Sequence, residues 1–565
     1  MPFMFLDGPQ DGDLSNEPHN HSSVLAEDKR HEEEATIQSR RRTQKLQDMA
    51  NWDPAFPDEE VFWYDEYIQR EGATCVNWLQ TPRMRGWGLE AIIEARGVAL
   101  YSPHDGDDGI GTKLAVAPLD DGSVCLWDVN GTRGRQGGIL AKSEPDLLYM
   151  EGFRDSNERL RSQRIDSSIS DRVSVDQANH KAYFAVQSHL IEVDLNRLDV
   201  VSRDSFEWSI TTLSAIHPDK PLVVGTSLGV HLHDFRARAK VIHDVPERVD
   251  GQSWQDTDVF KAIFDTNPLP PYASLSQPTP TGILYLPQLP QAGSASLVTD
   301  DIYISGRFSN ILHYDRRKFP AIVNSIHSGA VVNSLAALPY PFSTVDHEIR
   351  QFGESSPEKV AEMKSRVGSA LIAGGSYNQK GSLEIYGLAP AWSTAGRSTT
   401  LLNSVVKNRF TAASSPILSV ANHGTKIVFS DGSGLLKWFE RDGNTECRRL
   451  RVGHSEADGR GSMSESEPQL DDVARKIVST RTKHGACRPN NDDILFWTGE
   501  RLGLVSFTRT PLYQERDFAG EGEASAGDQA RQEYVERMRE ALERQAGEVR
   551  FLSSLGIGTR SSFGL

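Results

Sequence analysis

The sequence predicts an all-β fold, a seven-bladed β-propeller with a helical N-terminal lead-in and a C-terminal α-helix. Three observations predict it. Between about residues 86 and 510, short apolar, β-rich runs alternate with Gly, Asp, Asn and Pro turns, and long helical periodicities are scarce. Within that region a strand–turn–strand pattern recurs seven times, and its last strand ends in Trp-Asp or a pair in the same place. One such unit is a small antiparallel sheet that cannot bury both faces alone, whereas a radial arrangement packs sheets face to face and leaves only short edges. A β-sandwich or two barrels would use the same strands, but seven copies of one pattern favour the ring.

The clearest copy is "LAVAPLDDGSVCLWDV", Leu114 to Val129, an apolar strand, a polar turn and a strand ending in Trp127-Asp128. "AYFAVQSHLIEVDL" repeats the shape with Val193-Asp194, and "ITTLSAIHPDKPLVVGTSLGVHLHDFRAR" is the fullest copy, ending in His233-Asp234. The remaining four end in Tyr314-Asp315, Tyr386-Gly387, Trp438-Phe439 and Phe507-Thr508. Val193 and His233 are 40 residues apart but His233 and Tyr314 are 81 apart, against about 40 to 45 for a plain repeat. The excess is assigned to inserted loops such as "NPLPPYASLSQPTPTG" and "GHSEADGRGSMSESEPQL", whose Pro, Ser, Gly and acidic content suits surface insertions. The aromatic rings of Trp127, Tyr314, Tyr386, Trp438 and Phe507 are expected to fill the space between sheets. The carboxylates of Asp128, Asp194, Asp234 and Asp315 are expected to accept from turn amides.

These copies resemble the WD-repeat β-propeller family over roughly three quarters of the chain. The resemblance is strongest at Asp120 to Asp128 and Ile210 to Asp234; of the Gly-His before each repeat only His327 in "SIHSGAVVNSLAALP" is a relic. In that family the turn before the Trp-Asp strand faces a partner-binding rim. The resemblance therefore implies rim positions at Asp120 and Asp121, Gln187 and Ser188, Ser227, Arg307 and Phe308, Asp431, and Glu500 and Arg501. Arg307 with Phe308 is the favoured hot spot, because arginine and aromatic anchors dominate interfaces.

Flanking the expected propeller at 86–512 are three other segments. Residues 1–58 are polar and charge-biased, too poor in apolar surface to offset the entropy of ordering, with a short helix near Ala35 to Met49; Arg40-Arg41-Arg42 reads as a solvated charge run rather than an import signal. Residues 59–85 form an aromatic lead-in in which Phe62, Trp63, Tyr64, Tyr67 and Ile68 recur at helical spacing, suited to docking on the adjacent domain. Residues 513–565 hold a linker and an amphipathic helix with Tyr534, Val535, Met538, Ala541, Leu542 and Val549 on one face, docked on the propeller or binding a partner.

Composition narrows the function. A formal net charge of −17 disfavours general binding to nucleic acid or anionic membranes, and no run approaches the roughly 18 apolar residues of a spanning helix. The four cysteines, Cys75, Cys125, Cys447 and Cys487, lack CxxC spacing, so neither zinc site nor disulfide framework is expected, and a cytoplasmic or nuclear setting is. "PHDGDDGIGT" fails the calcium-loop register and reads as a hairpin loop; "DGSGLLKW" leads into a strand and is no phosphate loop. His231 and His233 share one face of a strand, with no third metal ligand apparent. No catalytic residue, metal or cofactor is expected.

More narrowly, "WYDEYIQREGATCVNWLQTP", "RGVALYSP", "LAVAPLDDGSVCLWDVNG" and "HPDKPLVVGTSLGVHLHDFRA" resemble the propeller portion of filamentous-fungal F-box/WD-repeat proteins. That resemblance implies a substrate-capturing propeller whose F-box recruits a ubiquitin ligase through its adaptor. No Leu-Pro-x-Glu-type helix precedes Asp58, so the ligase link is expected either upstream of this sequence or not at all. Protein partners are expected in both cases, and the alternative is a general WD-repeat scaffold of a trafficking, RNA-processing or chromatin complex.

Overall fold

Each repeat folds as a four-stranded antiparallel meander. The computed structural model describes residues 55–518 except 58, 87–88, 104–110, 150–171, 235–271, 275–278, 290–296, 343, 345–356, 390–399, 453–472 and 482–491, together with 537–538, 541, 544–545 and 547–548. Seven four-stranded sheets and one two-stranded hairpin are present among the described residues. The strands of each sheet are named a to d from the ring centre outward.

Blade 1 comprises Ala99–Tyr101, Leu114–Pro118, Val124–Asp128 and Ile139–Lys142, and blade 2 comprises Val173–Asp176, Lys181–Val186, His189–Asp194 and Asp199–Ser205. Blade 3 is Ile210–Leu213, Leu222–Thr226, Gly229–His233 and Tyr272–Ser274; blade 4 is Pro280–Pro287, Val298–Gly306, Phe308–Asp315 and Ile322–His327. Blade 5 is Val331–Leu338, Ser369–Tyr377, Lys380–Leu388 and Thr400–Ala413; blade 6 is Ile417–His423, Lys426–Asp431, Leu435–Glu440 and Glu446–Arg451. Blade 7 takes strands a to c from Lys476–Ser479, Ile494–Trp497 and Leu502–Ser506, and strand d from the far end of the sequence, Cys75–Trp78. Cys75 stands opposite Ser506 and Trp78 opposite Gly503 in that last pairing.

The cores lie between blades, one at every junction. Tyr101 and Val116 of blade 1 pack with Phe184 and Ile191 of blade 2, and Tyr183 of blade 2 with Leu222 of blade 3. Val223 of blade 3 meets Tyr314 of blade 4, Tyr303 of blade 4 meets Tyr386 of blade 5, and Ile385 of blade 5 meets Phe429 of blade 6. Trp438 of blade 6 packs with Phe496 and Phe507 at blade 7, and Trp497 of blade 7 packs with Trp127 of blade 1, which closes the cycle. Gly374 marks how tightly the blades approach: a Cβ there would lie 2.2 Å from a methyl of Val420 in the next blade.

The acidic partners of these rings cap turns. Asp128, 1% exposed, accepts from the amides of Gly131, Arg133 and Gly134 at 2.8, 2.6 and 2.7 Å. Asp194 accepts from Asn196 at 2.8 Å and Asp315 from Arg317 at 2.9 Å. Asp234 ends the described part of its segment.

Three features differ from the sequence reading. The segment "NPLPPYASLSQPTPTG", assigned to a loop, contains strand d of blade 3 and the first residues of blade 4; an outer strand and a strand start both tolerate the prolines that suggested a loop. The lead-in is helical only over Trp63–Glu71, here α1; Cys75–Trp78 belongs to blade 7, and Arg83–Gly86 pairs with Leu89–Ile92 as a hairpin. α1 also docks the other way round: Glu66 and Gln69 are buried, while Trp63, Tyr64 and Tyr67 are 52, 64 and 62% exposed. The reason is electrostatic: buried Lys426 lies beneath α1 and takes Glu66 as its counter-charge.

Residues 1–54, with the expected helix near Ala35 and the Arg40 triplet, lie outside the described residues, as does "GHSEADGRGSMSESEPQL". Of the C-terminal segment, Arg537, Met538, Ala541, Arg544, Gln545, Gly547 and Glu548 are helical and exposed. No helix among the described residues is long and apolar enough to cross a membrane.

Candidate partner-binding face

Strand pairing puts every b–c turn on one face of the ring, because strands b and c are adjacent hairpin arms in each blade. All the rim positions implied by the sequence fall on or beside those turns. In blade 1, Asp120 faces Arg96 at 3.2 Å, and Asp121 accepts from the Ser123 amide at 3.0 Å and pairs with Lys142 at 2.8 Å. Those contacts, with burial opposing them, hold the Asp121 carboxyl below its usual range. Gln187 and Ser188 make the blade 2 turn, with Gln187 in the left-handed region at φ 54°. The Ser227 hydroxyl donates to the Ser209 carbonyl at 3.2 Å. Arg307 and Glu500 are exposed, and Arg501 stacks its guanidinium 4.7 Å from the Trp78 ring centroid.

Two of the implied positions offer no contact surface. Phe308 is 5% exposed and packs with Val223 and Val230 in the core between blades 3 and 4, because the blade 4 turn tightens to the single residue Arg307 and places Phe308 at the start of strand c. Asp431 is fully buried and accepts from the amides of Ser433 and Leu435, each at 3.0 Å, so its carboxylate stabilises its own turn. The favoured pair therefore splits: Arg307 faces solvent and Phe308 supports it from below.

Blade 5 supplies residues the sequence reading missed. Asn378 and Gln379 form its b–c turn at φ 48° and 64°. Beneath them Glu384, 1% exposed, accepts from Ser328 at 2.6 Å, from Ser382 at 3.0 Å and from the Tyr386 hydroxyl, and takes Arg409 as counterion at 2.9 Å. The Arg409 guanidinium also lies 4.1 Å from the Tyr377 ring centroid. Strand d pairs Leu383 with Asn408 and then Gly381 with Ala413, so residues 409–412 bulge out of the ladder. A buried carboxylate four residues into a strand, next to Ser and Tyr, was the available signal; nothing in local sequence marks the bulge.

The opposite face carries α1. Lys426, fully buried at the start of blade 6 strand b, needs a counter-charge, and Glu66 supplies it at 2.5 Å. Glu66 also accepts from the Thr425 amide at 3.1 Å and hydroxyl at 2.5 Å. Arg70 bridges Glu66 at 2.9 Å and Glu440, and Arg448 donates to the carbonyls of Gln69 and Gly72 at 3.1 and 2.6 Å. Burial raises the Glu66 pKa, but Lys426, Thr425 and Arg70 outweigh it and hold the carboxyl at about 2. The polar side of α1 thus faces the ring because buried charge there demands it, and the aromatic side is left outward.

Between α1, blade 7 and blade 1 lies a cavity of about 270 Å³, lined by Asp65, Gln69, Asn130, Asp492, Asp493 and Phe507 among others. Burial, and then the neighbouring Asp492 charge, push the Asp493 carboxyl up to about 7, with Lys113 opposing. A carboxyl whose folded pKa exceeds its usual 3.8 stabilises the fold most below pH 3.8 and loses that contribution as pH rises through 7. Asp493→Asn is therefore expected to raise stability at pH 8 by roughly 1–2 kcal/mol, with the gain vanishing towards pH 4. Melting curves across that range check this; a gain equal at both ends would contradict it.

His231 and His233 flank Phe206, with ring centroids 5.1 and 6.1 Å away, and His233 lies 3.4 Å from Asp204. Burial, and then the neighbouring His233, lower the His231 pKa to about 4. Among the described residues, no group of three or more His, Cys, Asp or Glu side chains is arranged to hold a metal ion.

No family model matches the chain, and no curated protein matches it. Among solved structures, the β-propeller domain of Myceliophteria thermophila Cps50 (Swd1) is similar at 14% identity and a TM-score of 0.40, covering 77% of this chain and 99% of that one. The architecture rests on the chain's own geometry: seven four-stranded sheets joined through seven inter-blade cores make it a seven-bladed β-propeller.

Proposed function

We propose that the chain is a non-catalytic protein-interaction platform that captures a protein partner on the face carrying the b–c turns. The observation that carries this reading is the convergence of short, hydrogen-bonded turns from successive blades on one face, with Arg307 and Glu500 presented to solvent on a rigid scaffold. The narrower reading is a substrate receptor of an F-box-type ubiquitin ligase, or a relic of one, acting in the cytoplasm or nucleus. The resemblance of "WYDEYIQREGATCVNWLQTP" and the blade 1 and blade 3 motifs supports it. A general scaffold without a ligase link is the alternative.

Affinity purification of the full chain tests both levels. The combined variant Arg307→Glu, Glu500→Lys is expected to lose the partners of the wild type while keeping its melting temperature, since both side chains are exposed. Unchanged capture would remove the b–c face from consideration. Ligase adaptor and cullin among the partners would support the receptor reading, and a stable assembly without them the scaffold.

A further inference from the structure

Phe410 is 84% exposed, more than any other large hydrophobic residue described, and it sits on the blade 5 bulge between Arg409 and Thr411, both of which are held. After the ring, the Thr411 and Ala412 amides donate at 3.1 and 3.0 Å to Asn408, which is 5% exposed and itself donates to the Gly443 carbonyl at 3.1 Å. Before the ring, Arg409 is clamped by Glu384, by the Ser328 carbonyl and by the Tyr377 ring. The Lys437 ammonium holds the Ala412 carbonyl at 3.0 Å. A ring held outward by that many polar contacts is preorganised, so a partner that covers it orders few additional groups.

The exposed charge described on this side of blade 5 has one sign. The Lys407 ammonium rests on the carbonyls of His327 and Ser328 at 2.8 and 3.0 Å. Ser328 and Gly329 in turn donate to the Ser309 carbonyl, two residues from exposed Arg307, and exposed Lys380 closes the blade 5 turn. The acids described nearby are buried: Glu384 is already paired with Arg409, and Asp431 accepts from its own turn. Burial, and then the Arg409 charge, lower the Lys407 pKa against the pull of Glu384, so an arriving carboxylate would relieve cation–cation repulsion. This cationic patch stands on a chain of net charge −17.

We propose that Phe410, Lys407, Arg409 and Arg307 form a docking site for an acidic peptide segment of a partner protein that carries an apolar anchor for the Phe410 ring. The proposal rests on the reading that partners engage the b–c face, and it names their chemistry. A short acidic segment meets the local cations at little long-range cost, whereas a nucleic acid brings many charges against the acidic remainder of the chain. A second copy of this chain would bring −17 to −17.

A random peptide-display library panned on the full chain tests it, followed by fluorescence anisotropy with a fluorescein-labelled peptide made from the selected consensus. The expected consensus is rich in Asp and Glu around one Leu, Phe or Trp. Binding should weaken at least ~10-fold in Phe410→Ser and in Lys407→Gln, and weaken further with added salt, with Phe410→Ser keeping the wild-type melting temperature. A basic or absent consensus, or full binding by both variants, overturns the site. So does Phe410-dependent binding of a single-stranded oligonucleotide, or a dimer in sedimentation that Phe410→Ser dissolves. If these two variants bind normally while Arg307→Glu, Glu500→Lys loses its partners, only the docking chemistry fails. If neither set of changes affects any binding, the platform reading fails with it.

Discussion

Glu66→Ala is expected to destabilise the protein by about 3–5 kcal/mol, the cost of leaving one charge of a buried pair alone. Lys426 is fully buried and Glu66 is its carboxylate partner, so the variant strands an ammonium beneath α1. The same residue gives the effect a pH signature. Its folded pKa of about 2 lies below the usual 4.5, so its contribution is complete above pH 4.5 and is lost as pH falls through about 2. Chemical denaturation at pH 7 and at pH 3 should show the wild type and Glu66→Ala converging in acid. The double variant Glu66→Leu, Lys426→Met should recover most of the loss, because apolar side chains of similar volume can replace a buried pair without penalty. A single variant as stable as the wild type at pH 7 would show that α1 does not hold the ring.

Trp127→Ala is expected to cost about 3–5 kcal/mol and to lower the melting temperature by several degrees. The indole is 1% exposed in the core between blades 7 and 1, beside Leu79, Leu495, Trp497 and Leu504, and donates to the Gln80 carbonyl at 2.8 Å. Truncation therefore opens a void at the junction where the ring closes and removes a buried hydrogen bond. Trp127→Phe keeps most of the ring area and loses only the donor, so about 1–2 kcal/mol is expected. Differential scanning calorimetry separates the two, and an unchanged transition in Trp127→Ala would contradict the wedge role.

Strands b and c were legible because they combine apolar alternation with a turn and a terminal aromatic, and each packs against a neighbouring blade. Outer strands were not. Asp199–Ser205 and Glu446–Arg451 are polar and partly exposed, and Tyr272–Ser274 is short and set among prolines, so none shows a two-sided apolar signal. The turns were legible to within a residue, since Phe308 opens strand c and Asp431 ends strand b, but burial was not: whether a turn spans one residue or several decides whether Phe308 points out or in. α1 was legible as a helix and illegible in orientation, because Glu66 and Arg70 at i,i+4 look like a solvated pair until Lys426, 360 positions away, is brought beneath them. The Phe410 bulge depends on Asn408 meeting Gly443, a contact that only the folded blades create.

The clasp in blade 7 also sets an order of events. The Asn77 side-chain amide donates through Nδ2 to the Leu504 carbonyl and the Ser506 hydroxyl across 427 and 429 positions of sequence, and the Leu512 amide donates to Asn77 Oδ1. Residues 75–78 leave the ribosome before every blade, and their sheet partner among the described residues, 502–506, is among the last to be made. The ring can be finished only after synthesis has passed residue 506, and until then strand b of blade 7 is an open edge. Such long-range pairing is slow to form. Nascent chains arrested before residue 502 should therefore hold residues 75–78 open to protease, and full-length chains released from the ribosome should not.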